Sequence, residues 1–384
     1  MVSVYQNPAA SQFEGLELPE EMPVWDQKLA TVSSWAVSEA GFQMESGQPR
    51  GPALMIRERI AIRPEALKAA WKQGRALGKS CHFVLDGQLG EFLRTLPSSS
   101  SGPVLSYLHT AEDWSDASSW ATVELASEEK ILDLALRDQD VALAVSDQLF
   151  LPIDHWVDLL WANLLGLGPR VWGLTVGRPA PIALFRLCWA ALRALSLRHE
   201  KIGAKLTVLS EGARVHPSAV VEASVLGKGA VVGPGAVVRG SILGPGAKVE
   251  ALAVCEGAVL GRNALVQRQA LLKFSVVGEA AAIGGATQLS VLGSASGIKR
   301  GAYGMDQSFA GSVQYLRADR LVEAPLGLLG VCMGERSQLG AGVSLAPGRV
   351  LPIGAFVVAD AISKPGSHTD QVLRLVDGKL EPIG

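Results

Sequence analysis

Aliphatic residues recur at a fixed interval through the second half of the chain. Thirteen of them follow one another at spacings of six, five and six residues, so the pattern repeats every 17 residues. An amphipathic helix has a period of about 3.6 residues and an antiparallel sandwich has turn signals about every 8–12 residues, so neither produces this spacing. The interval predicts a solenoid with three short strands per coil, whose aliphatic residues point inward and stack. These positions are Val215, Val221, Leu226, Val232, Val238, Leu243, Val249, Cys255, Leu260, Val266, Leu272, Val277 and Ile283.

A second, evenly spaced run follows after an interruption. Its members are six residues apart, whereas the interval fails between Ile283 and Met333. We therefore predict a parallel β-helix over 205–362 with an insertion at 285–328, followed by a C-terminal tail at 363–384. The second run consists of Met333, Leu339, Leu345, Leu351 and Val357.

The first half alternates between strand and helix patterns. Residues 52–62 form an apolar run typical of a strand, and 63–78 have helical spacing with Pro64 near the start. This alternation predicts an α/β layered domain, which we place at 51–175 after an N-terminal extension at 1–50. Further short strands are predicted at 81–87, 103–109, 121–126 and 141–146.

Glycine and tryptophan divide the chain near residue 200. Of the 42 glycines, 29 lie in 203–384, whereas the last of the nine tryptophans is Trp189. The tight corners of a solenoid use glycine because some corner residues take a positive φ. Its narrow interior has no room for an indole ring. The composition therefore supports two different domains.

An amphipathic linker helix is predicted at 176–204, between the two domains. Its most apolar part, PAPIALFRLCWAALRALSL at 179–197, contains two arginines and so falls short of an uncharged transmembrane span. In one interpretation the helix packs on its own protein while its arginines reach solvent. In the other it lies on a membrane surface through 179–198. The first interpretation buries Leu184, Leu187, Trp189 and Leu195.

Charge and cysteine usage exclude several classes of protein. The formal net charge is -2, from 35 basic and 37 acidic residues, which gives no support for nucleic-acid binding. The four cysteines form no CxxC motif, so we expect reduced thiols in the cytoplasm rather than a disulfide framework or a Cys-rich zinc site. No signal peptide is predicted, because the N-terminus has no basic region followed by an apolar run.

The solenoid pattern resembles the hexapeptide-repeat transferase superfamily over roughly 205–360. This resemblance implies a left-handed parallel β-helix and a homotrimer with sites in clefts between neighbouring subunits. The superfamily includes acyltransferases, carbonic anhydrases and non-catalytic members, so the resemblance is less informative for function than for fold. A zinc site of the carbonic anhydrase type needs several histidines on neighbouring coils. Only His216 lies within the repeat, so no metal site is predicted.

A narrower resemblance rests on three segments. GIKRGAYG (297–304) and SVQYLRADRLVEAPLGLLGVCMGERSQLGAG (312–342) are similar to the sugar-nucleotide transferases related to bifunctional glucosamine-1-phosphate acetyltransferase/uridylyltransferase. HWVDLLWANLLGLG (155–168) resembles the helix that ends their first domain. The likeness implies a reduced nucleotidyltransferase-like domain before the β-helix. It also implies a sugar phosphate or nucleotide sugar as substrate and an acyl-CoA-like donor.

Two features depart from that family. Its acetyltransferases carry a histidine base in the coil before the interruption, where this chain has LLKFSVVG (271–278) without histidine. Its nucleotidyltransferases begin with a strand and a Gly-rich loop that holds a triphosphate through backbone N–H groups. Residues 1–60 contain no such arrangement, so uridylyl transfer is not expected.

The interruption of the repeat contains most of the candidate site residues. Such insertions commonly form the binding face of a solenoid, although an excursion with solvated charges that covers the edge would have the same pattern. For an acyltransferase, we assign Lys273 as the general base, in place of the missing histidine. Asp306 is assigned with it to catalysis, at the acceptor amine. The substrate-binding candidates are Lys299, for phosphate, with Arg300, Tyr303 and Gln307.

Two functions therefore remain open. The chain is either an acyltransferase acting on a sugar phosphate or nucleotide sugar, or a non-catalytic trimeric binding or scaffold protein that kept the fold. The β-helix with its interruption favours the enzyme. The absence of both the histidine base and the nucleotide loop favours the scaffold.

Overall fold

The computed structural model describes residues 2–7, 21–96, 103–136, 139–177, 180–194, 206–309, 311–358, 372–376 and 379–382. The chain divides into two compact units. Unit 1 consists of Met1–Glu14 and Gln27–Pro169, and unit 2 consists of Gly15–Asp26 and Arg170–Gly384. The division falls within a helix, at Pro169, rather than at residue 175 as the sequence suggested.

Unit 1 is built on a mixed sheet of six strands. All neighbouring strands are parallel except at Leu105–Leu108, which runs antiparallel to both of its neighbours. Its central strands are apolar because helices cover them, as in Ala53–Arg57, where all five residues are buried. The order across the sheet is Gln43–Glu45, Ser3–Asn7, Ala53–Arg57, Leu105–Leu108, Cys81–Leu85 and Ala121–Leu125.

Four helices begin in unit 1. The second begins at Pro64, where a missing N–H costs nothing, and ends at Gly78, whose φ of 62° is the left-handed cap that glycine favours. The helices are α1 (Val32–Glu39), α2 (Pro64–Leu77), α3 (Gly87–Thr95) and α4 (Trp156–Thr175). Two antiparallel pairs and a 3-10 helix complete the unit: Ile60–Ile62 with Phe150–Pro152, Glu129–Leu136 with Gln139–Ser146, and Ala111–Ser119.

The N-terminal residues are part of this domain and not an extension outside it. Ser3–Asn7 lies inside the sheet, between Gln43–Glu45 and Ala53–Arg57. Val32–Glu39 forms α1 and buries Val32, Ala36 and Val37. The expectation of a separate segment at 1–50 was therefore wrong. Its short strand and its helix have too few apolar residues to stand out as elements.

Unit 2 is a left-handed parallel β-helix with three faces. Each strand pairs in register with the strand one coil earlier, as Val232 pairs with Val249 and Val249 with Val266. The first face is Val208–Leu209, Val225–Leu226, Ile242–Leu243, Val259–Leu260, Val276–Val277, Val291–Leu292, Cys332–Met333 and Val350–Leu351. The second face is Arg214–Val215, Val231–Val232, Lys248–Val249, Leu265–Val266, Ala282–Ile283, Gly297–Ile298, Gln338–Leu339 and Phe356–Val357, extended by Val372–Val376 and Lys379–Pro382. The third face is Val220–Glu222, Val237–Arg239, Val254–Glu256, Leu271–Lys273, Ala286–Gln288, Tyr303–Gly304 and Ser344–Leu345.

The inward aliphatic positions form one continuous core, as predicted. The twelve positions from Val221 to Ile283 are buried, and Val215, on an early coil, packs against them. Serines at the corner before the first face form regular hydrogen bonds with the backbone of this corner. Ser241 Oγ donates to Arg239 O at 2.8 Å and accepts from Ala258 N at 3.1 Å. This corner therefore satisfies backbone groups that would otherwise be buried without partners.

The solenoid register continues further than the aliphatic spacing indicated. Ala286–Gln288, Val291–Leu292, Gly297–Ile298 and Tyr303–Gly304 all pair in register with the coil before. The inward positions here include Thr287 and Gly304, which an aliphatic pattern does not detect. The true excursion is 305–331, and at its last residue Val331 N donates to Ser290 Oγ at 2.9 Å. The expected insertion at 285–328 thus began about one coil too early.

The excursion contains the hairpin that the sequence indicates at 312–324. Gln314–Arg317 pairs antiparallel with Arg320–Glu323. Ala318 and Asp319, with φ values of 48° and 58°, form the turn. A 3-10 turn at Pro325–Gly327 follows. The last two strands, Val372–Val376 and Lys379–Pro382, form a second hairpin beside Phe356–Val357, within the segment expected as a tail.

The linker helix exists, but its burial differs from the expectation. It forms α5 (Ala180–Ala194), in which Leu184 is 64% and Trp189 52% exposed, whereas Ala190 is buried. Leu195 lies outside the described residues. The interpretation that buries Leu184 and Trp189 on the chain itself was therefore wrong. No described helix is long and apolar enough to cross a membrane.

Candidate functional site

A shortened corner creates a notch in the edge of the solenoid. The corners between the second and third faces have four residues at 267–270 and at 299–302, but only two at 284–285. The short corner recedes between its longer neighbours and leaves a cavity of about 350 Å³. We call this cavity the notch. It is lined by Arg268, Gln269, Gly284, Gly285, Ala286, Arg300, Gly301, Ala302 and Tyr303.

Two glycines form the floor of the notch, where the backbone of the next coil is close. A Cβ at Gly285 would lie 2.0 Å from Ala302 O, and one at Gly284 would lie 3.1 Å from Arg300 N. The backbone of the short corner therefore approaches the next coil more closely than any other residue type permits. The same absence of side chains keeps the cavity open.

Two arginines flank this floor at equivalent positions. Arg268 and Arg300 are each the second residue of a four-residue corner, two coils apart. With about 4.8 Å between stacked strands, their corners are separated by roughly 10 Å along the solenoid. Both side chains are exposed, and within the described part of the chain neither guanidinium forms an ion pair. One carboxylate lies beside this pair, since Glu250 accepts from Arg268 N at 2.9 Å. Two guanidinium groups against this one carboxylate leave the notch with net positive charge.

Tyr303 and Asp306 form the inner wall beside the notch. Tyr303 lines the cavity, and its hydroxyl donates to Asp306 Oδ1 at 3.3 Å. Asp306 is almost fully buried at the start of the excursion, where its backbone O accepts from Leu329 N at 3.0 Å. The carboxylate thus lies behind the tyrosine rather than on the open surface, and it orients the phenol ring.

Lys273 lies outside the notch, in a ladder of alternating charges on the third face. Glu222, Arg239, Glu256 and Lys273 are stacked in register, one per coil, and we call them the charge ladder. Arg239 contacts Glu222 at 2.9 Å and Glu256 at 3.0 Å, and Lys273 Nζ lies 2.8 Å from Glu256 Oε2. An ion-paired ammonium has no lone pair with which to accept a proton. The role of Lys273 as a base stays a prediction, and it requires this pair to open.

The charge ladder shifts the ionisation of Glu256. Burial by itself would raise the pKa of this carboxyl, but the hydrogen bonds and charges of Lys273 and Arg239 outweigh burial and hold the pKa below its ordinary value. Glu256 therefore stabilises the fold at pH values above the unfolded-state pKa of a glutamate, about 4.3. This stabilisation is lost as the pH falls through the pKa of Glu256 in the folded protein.

We expect Lys273→Met to lower the free energy of unfolding by about 1 kcal/mol at neutral pH, because the pair with Glu256 is partly exposed. The difference from wild type should shrink when Glu256 is protonated at acidic pH. Urea unfolding at neutral and at acidic pH measures this difference. Lys248→Met is the control, because Lys248 is an exposed lysine of the second face. Equal losses at both pH values would contradict a role for the ladder charge.

The structure brings together only some of the predicted site residues. Arg300 and Tyr303 line the notch, and Asp306 touches Tyr303. Lys299 and Gln307 are exposed and are not among the lining residues. The sequence interpretation missed Arg268. The available signal was the spacing of four residues between Ile283 and Thr287, which indicates a shortened corner beside it.

No metal centre is present among the described residues, where no three His, Cys, Asp or Glu side chains come together. His216 is exposed, and its Nδ1 lies 2.8 Å from Ser218 Oγ. Three cysteines are buried, and burial raises the pKa of Cys81 to about 11 and that of Cys255 to about 12. Cys188 on α5 is exposed.

Comparison with known proteins gives structural likenesses only. No protein-family model matches the chain. No curated protein sequence matches it either. Among solved structures, it is similar to a UDP-N-acetylglucosamine acyltransferase from Francisella novicida, at 14% identity over 46% of this chain and 68% of that one, with a TM-score of 0.25.

Two further structures are similar at the same level. One is a hexapeptide transferase family protein from Anaplasma phagocytophilum, with 12% identity, coverage of 46% of this chain and 79% of that one, and a TM-score of 0.18. The other is the acetyltransferase domain of PglB from Neisseria gonorrhoeae, with 17% identity, coverage of 44% and 57%, and a TM-score of 0.14. Because these identities and TM-scores are so low, the assignment of the β-helix rests on the strand pairing, and no reaction or substrate follows from the likenesses.

Proposed function

We propose that this chain binds a sugar phosphate or nucleotide sugar at the notch and transfers an acyl group to it from an acyl-CoA-like donor. The observation that carries the proposal is the pair of exposed arginines, Arg268 and Arg300, on either side of a glycine floor. Guanidinium groups bind phosphate through charge-assisted hydrogen bonds, and a floor without side chains lets the ligand approach the backbone. A gap of roughly 10 Å between the two corners suits one phosphate or a diphosphate.

The proposed reaction follows from the chemistry of a thioester donor. The acceptor nitrogen or oxygen attacks the thioester carbonyl, the new C–N or C–O bond forms, and the C–S bond breaks. The thiol of the carrier leaves with the proton that the acceptor loses. Tyr303 is the polar side chain that lines the notch beside Arg300, and Asp306 holds its hydroxyl at 3.3 Å. We therefore assign Tyr303 to the acceptor and Asp306 to the positioning of Tyr303.

A non-catalytic binding or scaffold function is the second candidate. The charge ladder favours it, because Glu256 engages Lys273 in an ion pair. The ligand and the notch would be the same in this case, but no bond would be made or broken. For both functions we place the chain in a homotrimer, as the resemblance to hexapeptide-repeat proteins implies.

Isothermal titration calorimetry with UDP-N-acetylglucosamine and with glucosamine 1-phosphate tests the proposed site. Arg268→Ala and Arg300→Ala are each expected to weaken binding about tenfold or more, since a hydrogen bond to a charged group contributes about 1.5–3 kcal/mol. Arg262→Ala is the matched control, because Arg262 is an exposed arginine on a different corner of the solenoid. Its variant should bind like wild type.

The two candidate functions separate in a turnover assay. Release of free thiol from acetyl-CoA together with an equal amount of acylated ligand, detected by mass spectrometry, would establish acyl transfer. Binding without either product would favour the scaffold function. If neither ligand binds wild-type protein, or if Arg268→Ala and Arg300→Ala bind like Arg262→Ala, the proposed site is wrong.

A further inference from the structure

Helix α5 presents an apolar face that the described part of the chain leaves exposed. Phe185 is 68% exposed, and its ring stacks on that of Trp189 with a centroid distance of 6.3 Å and an angle of 14°. Leu184 and Cys188 are exposed on the same helix. Since residues four apart lie on one side of a helix, these four positions form a single apolar strip.

The opposite side of α5 faces the protein. Ala190 is buried, and Ala183 and Leu187 are half-buried. Arg186 Nη1 donates to Thr175 O at 3.5 Å. Of the described side chains, Ala183, Leu187 and Ala190 therefore hold the helix, whereas Leu184, Phe185 and Trp189 point to solvent. This is the reverse of what a surface helix of a soluble domain does, because burial of large apolar side chains stabilises a fold.

The charge around the strip indicates what covers it. The segment 176–199 contains four arginines, at 178, 186, 193 and 198, and no aspartate or glutamate, in a chain whose net charge is -2. Aromatic and leucine side chains on one face of a helix, within a sequence rich in arginine, are typical of interfacial helices, which lie in the plane of the lipid headgroups. Tryptophan in particular favours the boundary between headgroups and acyl chains.

We propose that α5 docks this protein on an anionic lipid bilayer. Leu184, Phe185, Cys188 and Trp189 enter the interface, and the positive charge of the sequence 176–199 attracts the helix to anionic headgroups. A helix of 15 residues that lies flat gives a reversible, salt-sensitive attachment. This surface is independent of the notch and does not rest on the proposed acyl transfer.

The exposed cysteine offers a direct probe of docking. Cys188 lies on the strip, whereas Cys81, Cys255 and Cys332 are buried. An environment-sensitive nitrobenzoxadiazole fluorophore attached to the native full-length chain should therefore label Cys188 selectively. With phosphatidylcholine vesicles that contain phosphatidylglycerol, we expect a blue shift and co-flotation of the protein. Phosphatidylcholine alone should give little of either, and added salt should reverse both.

Matched variants separate docking through α5 from nonspecific adsorption to vesicles. Phe185→Glu with Trp189→Glu should lower vesicle binding at least tenfold, and Arg186→Gln should lower it less. Leu321→Glu, at a side chain of the excursion hairpin that is 60% exposed, should leave binding unchanged. Circular dichroism of each variant checks that the fold is kept.

Three outcomes would overturn the proposal. The first is the absence of flotation at low salt, and the second is equal flotation of the wild type and the Phe185→Glu, Trp189→Glu double variant. The third is a blue shift that appears without vesicles and grows with protein concentration, which would assign the strip to a contact with a second copy of this chain.

Discussion

Gly285→Ala is expected to lower the free energy of unfolding of the solenoid by more than about 3 kcal/mol. The new Cβ would lie 2.0 Å from Ala302 O and 3.0 Å from Lys299 O. Both are backbone oxygens that already accept hydrogen bonds, from Ala286 N at 3.1 Å and from Ala302 N at 3.0 Å. Overpacking of a well-packed site costs about 1–3 kcal/mol where side chains can move, and more where they cannot. Urea unfolding followed by far-ultraviolet circular dichroism measures the loss.

Gly301→Ala is the matched control, because it changes a glycine that lines the same notch. Gly301 has a φ of 75°, but the nearest atom to its added Cβ is 3.9 Å away. It should therefore lose only about 1–2 kcal/mol, the cost of a left-handed residue other than glycine. If the two variants were equally stable, close approach of the coils would not be the reason for glycine at 285.

Arg57→Met is expected to destabilise unit 1 by about 3–5 kcal/mol. Arg57 Nη2 lies 3.1 Å from Asp154 Oδ1, and the two side chains are only 5% and 1% exposed. Removal of Arg57 takes this ion pair away from a carboxylate that stays buried, and breaking a buried pair costs far more than the net contribution of the pair. Tryptophan fluorescence during urea unfolding measures this loss. It does not report on the coils from 206 onward, because they contain no tryptophan.

The double variant Arg57→Met with Asp154→Asn tests this explanation. It removes both charges, and Asn keeps the shape of the side chain, so most of the lost stability should return. If the double variant were as unstable as Arg57→Met alone, lost packing of the arginine side chain, and not its charge, would account for the effect.

The stacking of the solenoid explains why so much of its fold follows from sequence. Each inward aliphatic residue touches its equivalents one coil away, so the spacing must repeat wherever coils are stacked, and the positions from Val221 to Ile283 are all buried. The pattern failed where other residue types took the inward position. Thr287 can occupy a buried inward position because its hydroxyl forms a hydrogen bond with Ser290 Oγ at 2.7 Å. Gly304 occupies the equivalent position one coil later.

Other features depend on surroundings that a local pattern does not contain. Apolar spacing identified α5 as amphipathic, but not whether its apolar face was covered. Arg268 and Arg300 are 32 positions apart and become neighbours of one notch only because the corner between them is two residues short. Lys273 was assigned as a base from its place in the sequence, whereas its pairing with Glu256 arises from stacking of the third face.

The most direct test of the proposed site is a crystal structure of the protein soaked with UDP-N-acetylglucosamine. The proposal predicts density for the diphosphate in the notch, with phosphate oxygens within hydrogen-bonding distance of the guanidinium groups of Arg268 and Arg300, over the floor at Gly284 and Gly285. Diphosphate density at another place on the chain, with an empty notch, would contradict it.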